Sequence, residues 1–196
     1  PAQVEAVLPA LRSSIEGAAR LGVRVLVVHA AGCAAEAYPR RAEALARTLT
    51  ALSAQAQAVG ITVAVENCGP RADLEFLAAT LDRLDLPAVG FNIDTGHAVL
   101  HGMRPEEAIR VMGRRLATTH LQDNFGQRDD HLPPGRGSIA WEPVRDALIE
   151  VRYAGMFMVE ISDCPPGREP VPVDDTRAAA SFLRALFGAG AGKAQA

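Results

Sequence analysis

The chain has 196 residues, of which 48% are hydrophobic and 22% charged, with a formal net charge of −3. Such a balance describes one folded domain with a substantial core and excludes a disordered chain or a small stapled scaffold. The slight negative charge and the 5% aromatic content provide no general attraction to nucleic acid or anionic lipid, and no apolar run approaches the roughly 18 residues of a membrane helix.

In chain order, PAQVEAVLPALRSSIEGAAR reads as an amphipathic helix over about 3–20, not as a signal peptide, and begins at Pro1 with no initiator Met, so the natural start is expected upstream. A first apolar, β-branched run follows at Val23–His29, then a helical stretch at about 39–59 and a second run at Ile61–Glu66. Helical spacing over 72–84 precedes the third run, Ala88–Asp94; a helix at 104–114 precedes the fourth, Leu116–Leu121. The longest irregular stretch, Gln122–Ala140, leads into a helix at 141–152, a fifth run at Met156–Ile161 and a helix at 174–187. Residues 188–196 form a low-complexity tail, expected to be disordered.

Strands alternating with helices predict parallel pairing through crossovers, hence an α/β fold, and near-continuous apolar strands predict a sheet covered on both faces. Cys33, Cys68 and Cys164 form no CxxC pair and are odd in number, which fits a reduced, cytoplasmic setting.

Each of the five runs ends on, or within two residues of, a group able to bind a metal or move a proton: His29, Glu66, Asp94, His120 and Glu160. A lone carboxylate at a strand end commonly caps a helix or pairs with a loop cation, and a lone histidine is commonly a satisfied buried group. Five such ends on one rim of a parallel sheet point instead to a shared site. Glu66 and Glu160 weigh most, because an unpaired carboxylate closing an apolar strand is costly. Two Glu, one Asp and one His form a mixed oxygen and nitrogen set that suits Mn²⁺, Mg²⁺, Co²⁺ or Zn²⁺, and one such ion would offset the mutual repulsion of the carboxylates. In the long loop, Asp123, Asp129, Asp130 and His131 add further polar groups. His97 faces the site if a helical turn starts at Asp94; His101 is expected at the surface or behind the site, and Trp141 against the sheet.

These residues carry a resemblance. Glu66-Asn67 after an apolar strand, FNIDTGHAVLHG, HLQDN followed by DDHLPPGRGSIAW, and a late VEIS are similar, in order and spacing, to the xylose isomerase-like TIM barrels, which comprise sugar-phosphate isomerases and epimerases, inosose dehydratases and ketose 3-epimerases. The resemblance implies a (β/α)8 barrel over 1–187, present in part, with the five runs matching strands four to eight, and a fragment or truncated form with edges that another copy of the chain could cover as a homo-oligomer. It implies one divalent metal held by Glu66, Asp94, His120 and Glu160. Glu66 and Glu160 are implied as the acid and base that move a proton beside a carbonyl through a metal-stabilised enediolate. The histidine matching His97 is implied in contact with substrate, and His29, Asp123 and His131 are expected beside it on the substrate side. The expected partner is a small sugar or polyol ketone, with neither nucleic acid nor membrane. The arginine that ketose 3-epimerases carry shortly after the metal histidine is missing, for Asn124-Phe125-Gly126 stands there and Arg128 comes later.

Two alternatives use the same rim. An apurinic-site endonuclease-like zinc phosphodiesterase of the same superfamily would add His29, His97, Asp129 and His131 as ligands. An inosose-type dehydratase would begin with the same proton abstraction and then expel water.

Overall fold

The computed structural model describes residues 2–29, 38–162 and 172–188. Cys33, Cys164 and all but the first residue of the expected tail lie outside them. The described residues fall into two compact units: one runs up to Asn92 and includes Arg115–Thr118, the other comprises Ile93–Arg114 and the residues from Thr119 onward.

The first unit opens with α1 (Ala2–Arg20), β1 (Val25–His29), α2 (Tyr38–Ala58), β2 (Thr62–Glu66) and α3 (Arg71–Leu84). Leu8, Leu11, Ile15 and Ala18 recur at helical spacing on α1 and form one apolar stripe. Its buried members, Ile15 and Ala18, pack with Leu52 and Ala56 of α2 and with Ile61, Val63 and Ala88; Leu8, Leu11, Leu26 and Val28 pack against that cluster. Each large aliphatic side chain so buried contributes about 1.5–3 kcal/mol. α3 ends where Asp85 enters the left-handed region at φ 45° and its backbone N–H bonds to the Leu81 carbonyl.

β3 (Val89–Asp94) and β4 (Leu116–His120) complete a four-stranded sheet of order β1-β2-β3-β4. β1 pairs with β2 and β2 with β3, both parallel. All six residues of β3 are buried, as expected of an inner strand covered on both faces, whereas β1 is half-buried. Gly90 is required within β3, since a Cβ there would lie 2.5 Å from the Arg115 carbonyl oxygen. The α/β class and the ends of the first three runs at His29, Glu66 and Asp94 agree with the sequence pattern.

The second unit holds α4 (Thr95–Leu100), α5 (Pro105–Met112), α6 (Trp141–Glu150) and α7 (Pro172–Gly188). Pro105 opens α5 with its missing N–H in the first turn, where Glu106 and Glu107 complement the helix dipole. α5 packs on α6, joined at its edge by Arg110 Nε to Glu150 Oε2 at 2.8 Å; α6 meets α7 through Trp141 edge-on to Phe182. No helix among the described residues is long and apolar enough to cross a membrane.

One element differs from expectation. Met156–Ile161 is not a strand: it makes a single parallel bridge, Val159 to Leu121, with Leu121 N donating to Met158 O at 2.8 Å and Glu160 N to Leu121 O at 3.2 Å. Met156, Phe157 and Met158 are 65%, 40% and 44% exposed, so this apolar segment lacks the packed surroundings that convert β-propensity into a ladder.

Candidate metal and substrate site

In the first unit, the register places His29 opposite Glu66 and Glu66 opposite Asn92, so three adjacent strands present these residues side by side. Glu66 is 1% exposed, and burial of a carboxylate is unfavourable without partners. Asn92 Nδ2 donates to Glu66 Oε2 at 2.6 Å, His29 Nε2 lies 3.3 Å from Oε1, and Cys68 Sγ donates to Oε1 at 3.6 Å. The buried Oδ1 of Asn92 has no hydrogen-bond partner among the described residues.

In the second unit, Asp94 is both the last residue of β3 and the N-cap of α4. It is fully buried, with Oδ1 accepting from the His97 backbone N at 2.7 Å. That cap starts the helical turn that carries His97 back toward the acid, its Nδ1 3.8 Å from Asp94 Oδ2. His97 Nε2 and His131 Nε2 lie 3.1 and 3.0 Å from the same oxygen, Asp129 Oδ2. His131 holds φ 48°, a left-handed conformation uncommon for a residue with a Cβ, in the turn that brings its ring to Asp129. Partial burial pushes the Asp129 carboxyl up, but the Gln122 amide and the imidazoles of His131 and His97 outweigh it and hold the group below its usual range. His101 is exposed.

Gln122 ties this cluster together. It is fully buried, its Nε2 donating to Asp129 Oδ1 at 2.8 Å and lying 3.5 Å from Asp94 Oδ2. Its backbone is locked to Thr95, whose Oγ1 donates to Gln122 O at 2.6 Å and accepts from Gln122 N at 3.1 Å. The amide lies so close to Gly96 that a Cβ at 96 would overlap it. Gly96→Ala is therefore expected to displace Gln122 and destabilise the protein by about 1–3 kcal/mol. A denaturant midpoint unchanged from wild type would show that the amide simply moves aside.

Past β4, His120 Nδ1 lies 2.8 Å from Glu160 Oε2, side chains 19% and 41% exposed. Asp123, expected on the substrate side, has both oxygens engaged within the protein. Oδ1 accepts from the backbone N–H of Asn124 (3.0 Å) and Ile139 (3.1 Å), and Oδ2 from Gly135 N (3.0 Å) and Trp141 Nε1 (2.9 Å). It is fully buried, so its place is that of a post that folds the loop around itself, and no oxygen is left for a ligand. Asp130 pairs with Arg128 at 3.3 Å.

Asn92, Gln122 and Cys68 were not singled out by the sequence pattern. For Asn92 a signal exists: it precedes Asp94 by two residues and so shares its face of the strand.

The family model described as "Xylose isomerase-like TIM barrel" matches residues 1–186. An uncharacterized protein of Methanocaldococcus jannaschii is 29% identical over 161 residues, covering 76% of this chain and 55% of the relative, so the chain spans little more than half of it. The crystal structure of a D-tagatose 3-epimerase-like protein superposes with a TM-score of 0.79 at 23% identity, covering 96% of this chain and 71% of that one. The crystal structure of IOLI protein with a binding zinc atom gives 0.75 at 18% identity, over 92% and 69%. The chain belongs to the xylose isomerase-like TIM barrel family.

Proposed function

We propose that this member of the family carries the metal-binding and proton-transfer residues of a divalent-metal-dependent sugar or sugar-phosphate isomerase or epimerase. One observation carries the reading. β2, β3 and β4, successive strands of one sheet, end in Glu66, Asp94 and His120, and the chain returns after α6 to set Glu160 2.8 Å from the His120 imidazole. Those four residues would hold the ion. Their three carboxylates and one imidazole form a donor set that suits Mn²⁺, Mg²⁺, Co²⁺ or Zn²⁺, and the full burial of Asp94 favours a cation beside it. When bound, the ion supplies charge stabilisation for the oxygens on which negative charge develops.

The protein's own groups do the rest. One of Glu66 and Glu160 takes the proton from the carbon beside the carbonyl, the electron pair moves to oxygen as an enediolate, and the other carboxylate returns a proton. Return from the opposite face inverts the centre; return to the neighbouring carbon isomerises it. Asn92 orients the Glu66 carboxylate by its 2.6 Å hydrogen bond. His29, His97 and His131 would meet the hydroxyls of a small sugar or polyol ketone, and Asp123 acts through the loop it holds. A cytoplasmic location, without nucleic acid or membrane partners, completes the proposal, as does a homo-oligomer covering the strand edges.

The likeness to a D-tagatose 3-epimerase-like protein supports a ketose, and the zinc of the IOLI protein supports a divalent ion. The test is solvent deuterium exchange followed by NMR on a ketose panel that includes D-tagatose, with each of the four metals. Deuterium should enter at the carbon next to the carbonyl only when metal is present. No exchange with any ketose and any metal would end the proposal, whereas water loss from an inosose would redirect it to a dehydratase.

A zinc phosphodiesterase is the second reading, favoured by one observation: ligating atoms of His97, Asp129 and His131 all lie within 4.8 Å of one another. Metal analysis separates the two. About one ion per chain fits the sugar enzyme; additional zinc lost together on His97→Ala fits the phosphodiesterase.

A further inference from the structure

Gln122 is buried with one polar atom unprovided for. Its side-chain Oε1 has no hydrogen-bond partner among the described residues, although the residue is fully buried and its backbone is fixed on both sides by Thr95. An orphaned buried carbonyl is unfavourable, and a methionine would fill the same space without it. The amide nitrogen shows what the side chain does instead. Nε2 donates to Asp129 Oδ1 at 2.8 Å and reaches Asp94 Oδ2 at 3.5 Å, so one NH₂ group stands between two carboxylates. A carboxylate accepts hydrogen bonds, so the amide presents its nitrogen to both acids and turns Oε1 away, against Gly96.

We propose that Gln122 is a positioning residue that fixes the plane of the Asp94 carboxylate for the ion, a role that rests on the reading of Asp94 as an ion ligand given above. Asp94 Oδ1 is held by the His97 backbone N at 2.7 Å, and one such bond leaves the carboxylate free to turn about its Cβ–Cγ axis. A second contact, at Oδ2, sets the direction in which its lone pairs point. At 3.5 Å that contact is weak by itself. Its effect comes from placement: the shorter bond to Asp129 anchors the amide, Thr95 anchors the backbone, and the side chain has little freedom left to lose when an ion arrives. Asp129 is suited to serve as the anchor because His97 and His131 already hold its other oxygen, Oδ2, at 3.1 and 3.0 Å. A chain of contacts thus runs from the two imidazoles through Asp129 and Gln122 to Asp94.

Manganese(II) is the probe, its affinity read from the free-ion signal in electron paramagnetic resonance. Gln122→Met keeps the length of the side chain and removes both the amide protons and the orphaned oxygen. It should weaken manganese binding by about tenfold or more while the denaturant midpoint stays level or rises. A residue that only packs would show the reverse, a lower midpoint with affinity unchanged. Asp129→Leu should weaken binding too, although Asp129 is not among the proposed ligands, and Asp129→Asn, which keeps a carbonyl for the amide, should restore most of it. Manganese affinity within about twofold of wild type in Gln122→Met overturns the proposal. So does a loss in Asp129→Asn equal to that in Asp129→Leu, which would trace the effect to charge. Should Gln122→Met fail to fold by circular dichroism, the two Asp129 variants decide, because that side chain is 36% exposed. A wild-type chain that takes up no manganese overturns ion ligation by Asp94 and this role together; binding without deuterium exchange into any ketose overturns the sugar-enzyme reading alone.

Discussion

Glu160→Gln should lower metal-dependent deuterium exchange by about 10²–10⁴-fold, the range over which a positioned acid or base contributes, while the fold survives. Glutamine keeps the length and shape of the side chain but can neither accept the proton nor ligate an ion as a carboxylate does. Glu160 is held at its backbone, through its N–H to the Leu121 carbonyl at 3.2 Å, and its side chain is 41% exposed. The denaturant midpoint should therefore stay within about 0.5 kcal/mol of wild type. Exchange at wild-type rates would remove Glu160 from the proton path.

Asp123→Asn should be the most destabilising of the isosteric changes, at about 2–5 kcal/mol. The carboxylate accepts four hydrogen bonds, two at each oxygen. An asparagine must turn its NH₂ toward one of those pairs: either the backbone N–H groups of Asn124 and Ile139, or the Gly135 N–H and the Trp141 indole. Whichever way the amide flips, two buried donors lose their acceptor, at about 1–3 kcal/mol each. Trp141 is the only tryptophan of the chain and 3% exposed, so its emission reports on the loop directly and should shift to the red as the loop loosens. Unchanged emission together with an unchanged midpoint would mean that the four bonds do not hold the loop.

The sequence pattern located all four strands of the sheet to within two residues because buried parallel strands are written as largely apolar, β-branched runs, a signal local to each segment. It misplaced Met156–Ile161 for the complementary reason: that segment has the composition of a strand, but strand formation depends on neighbours, which composition does not record. The short helix α4 was foreshadowed only as a turn, although Asp94 followed three residues later by His97 is the spacing at which a side chain caps a backbone N–H. Polar strand ends were legible because they break an apolar pattern. Asp123 was legible as an acid in a loop but not in its role, since three of its four donors come from Gly135, Ile139 and Trp141, 12 to 18 residues away. Gln122 and Cys68 stayed hidden because nothing in their immediate neighbours distinguishes an amide or a thiol turned inward from one turned to solvent.

The fit of the Gln122 amide over Gly96 has an evolutionary corollary. Because a methyl group at 96 and the amide at 122 claim the same space, position 96 cannot gain a side chain while the glutamine at 122 keeps its place. Divergent homologues bearing alanine or serine at 96 should carry a shorter residue at 122, and the two positions should covary as a pair, with a glycine followed 26 residues later by glutamine as one permitted state.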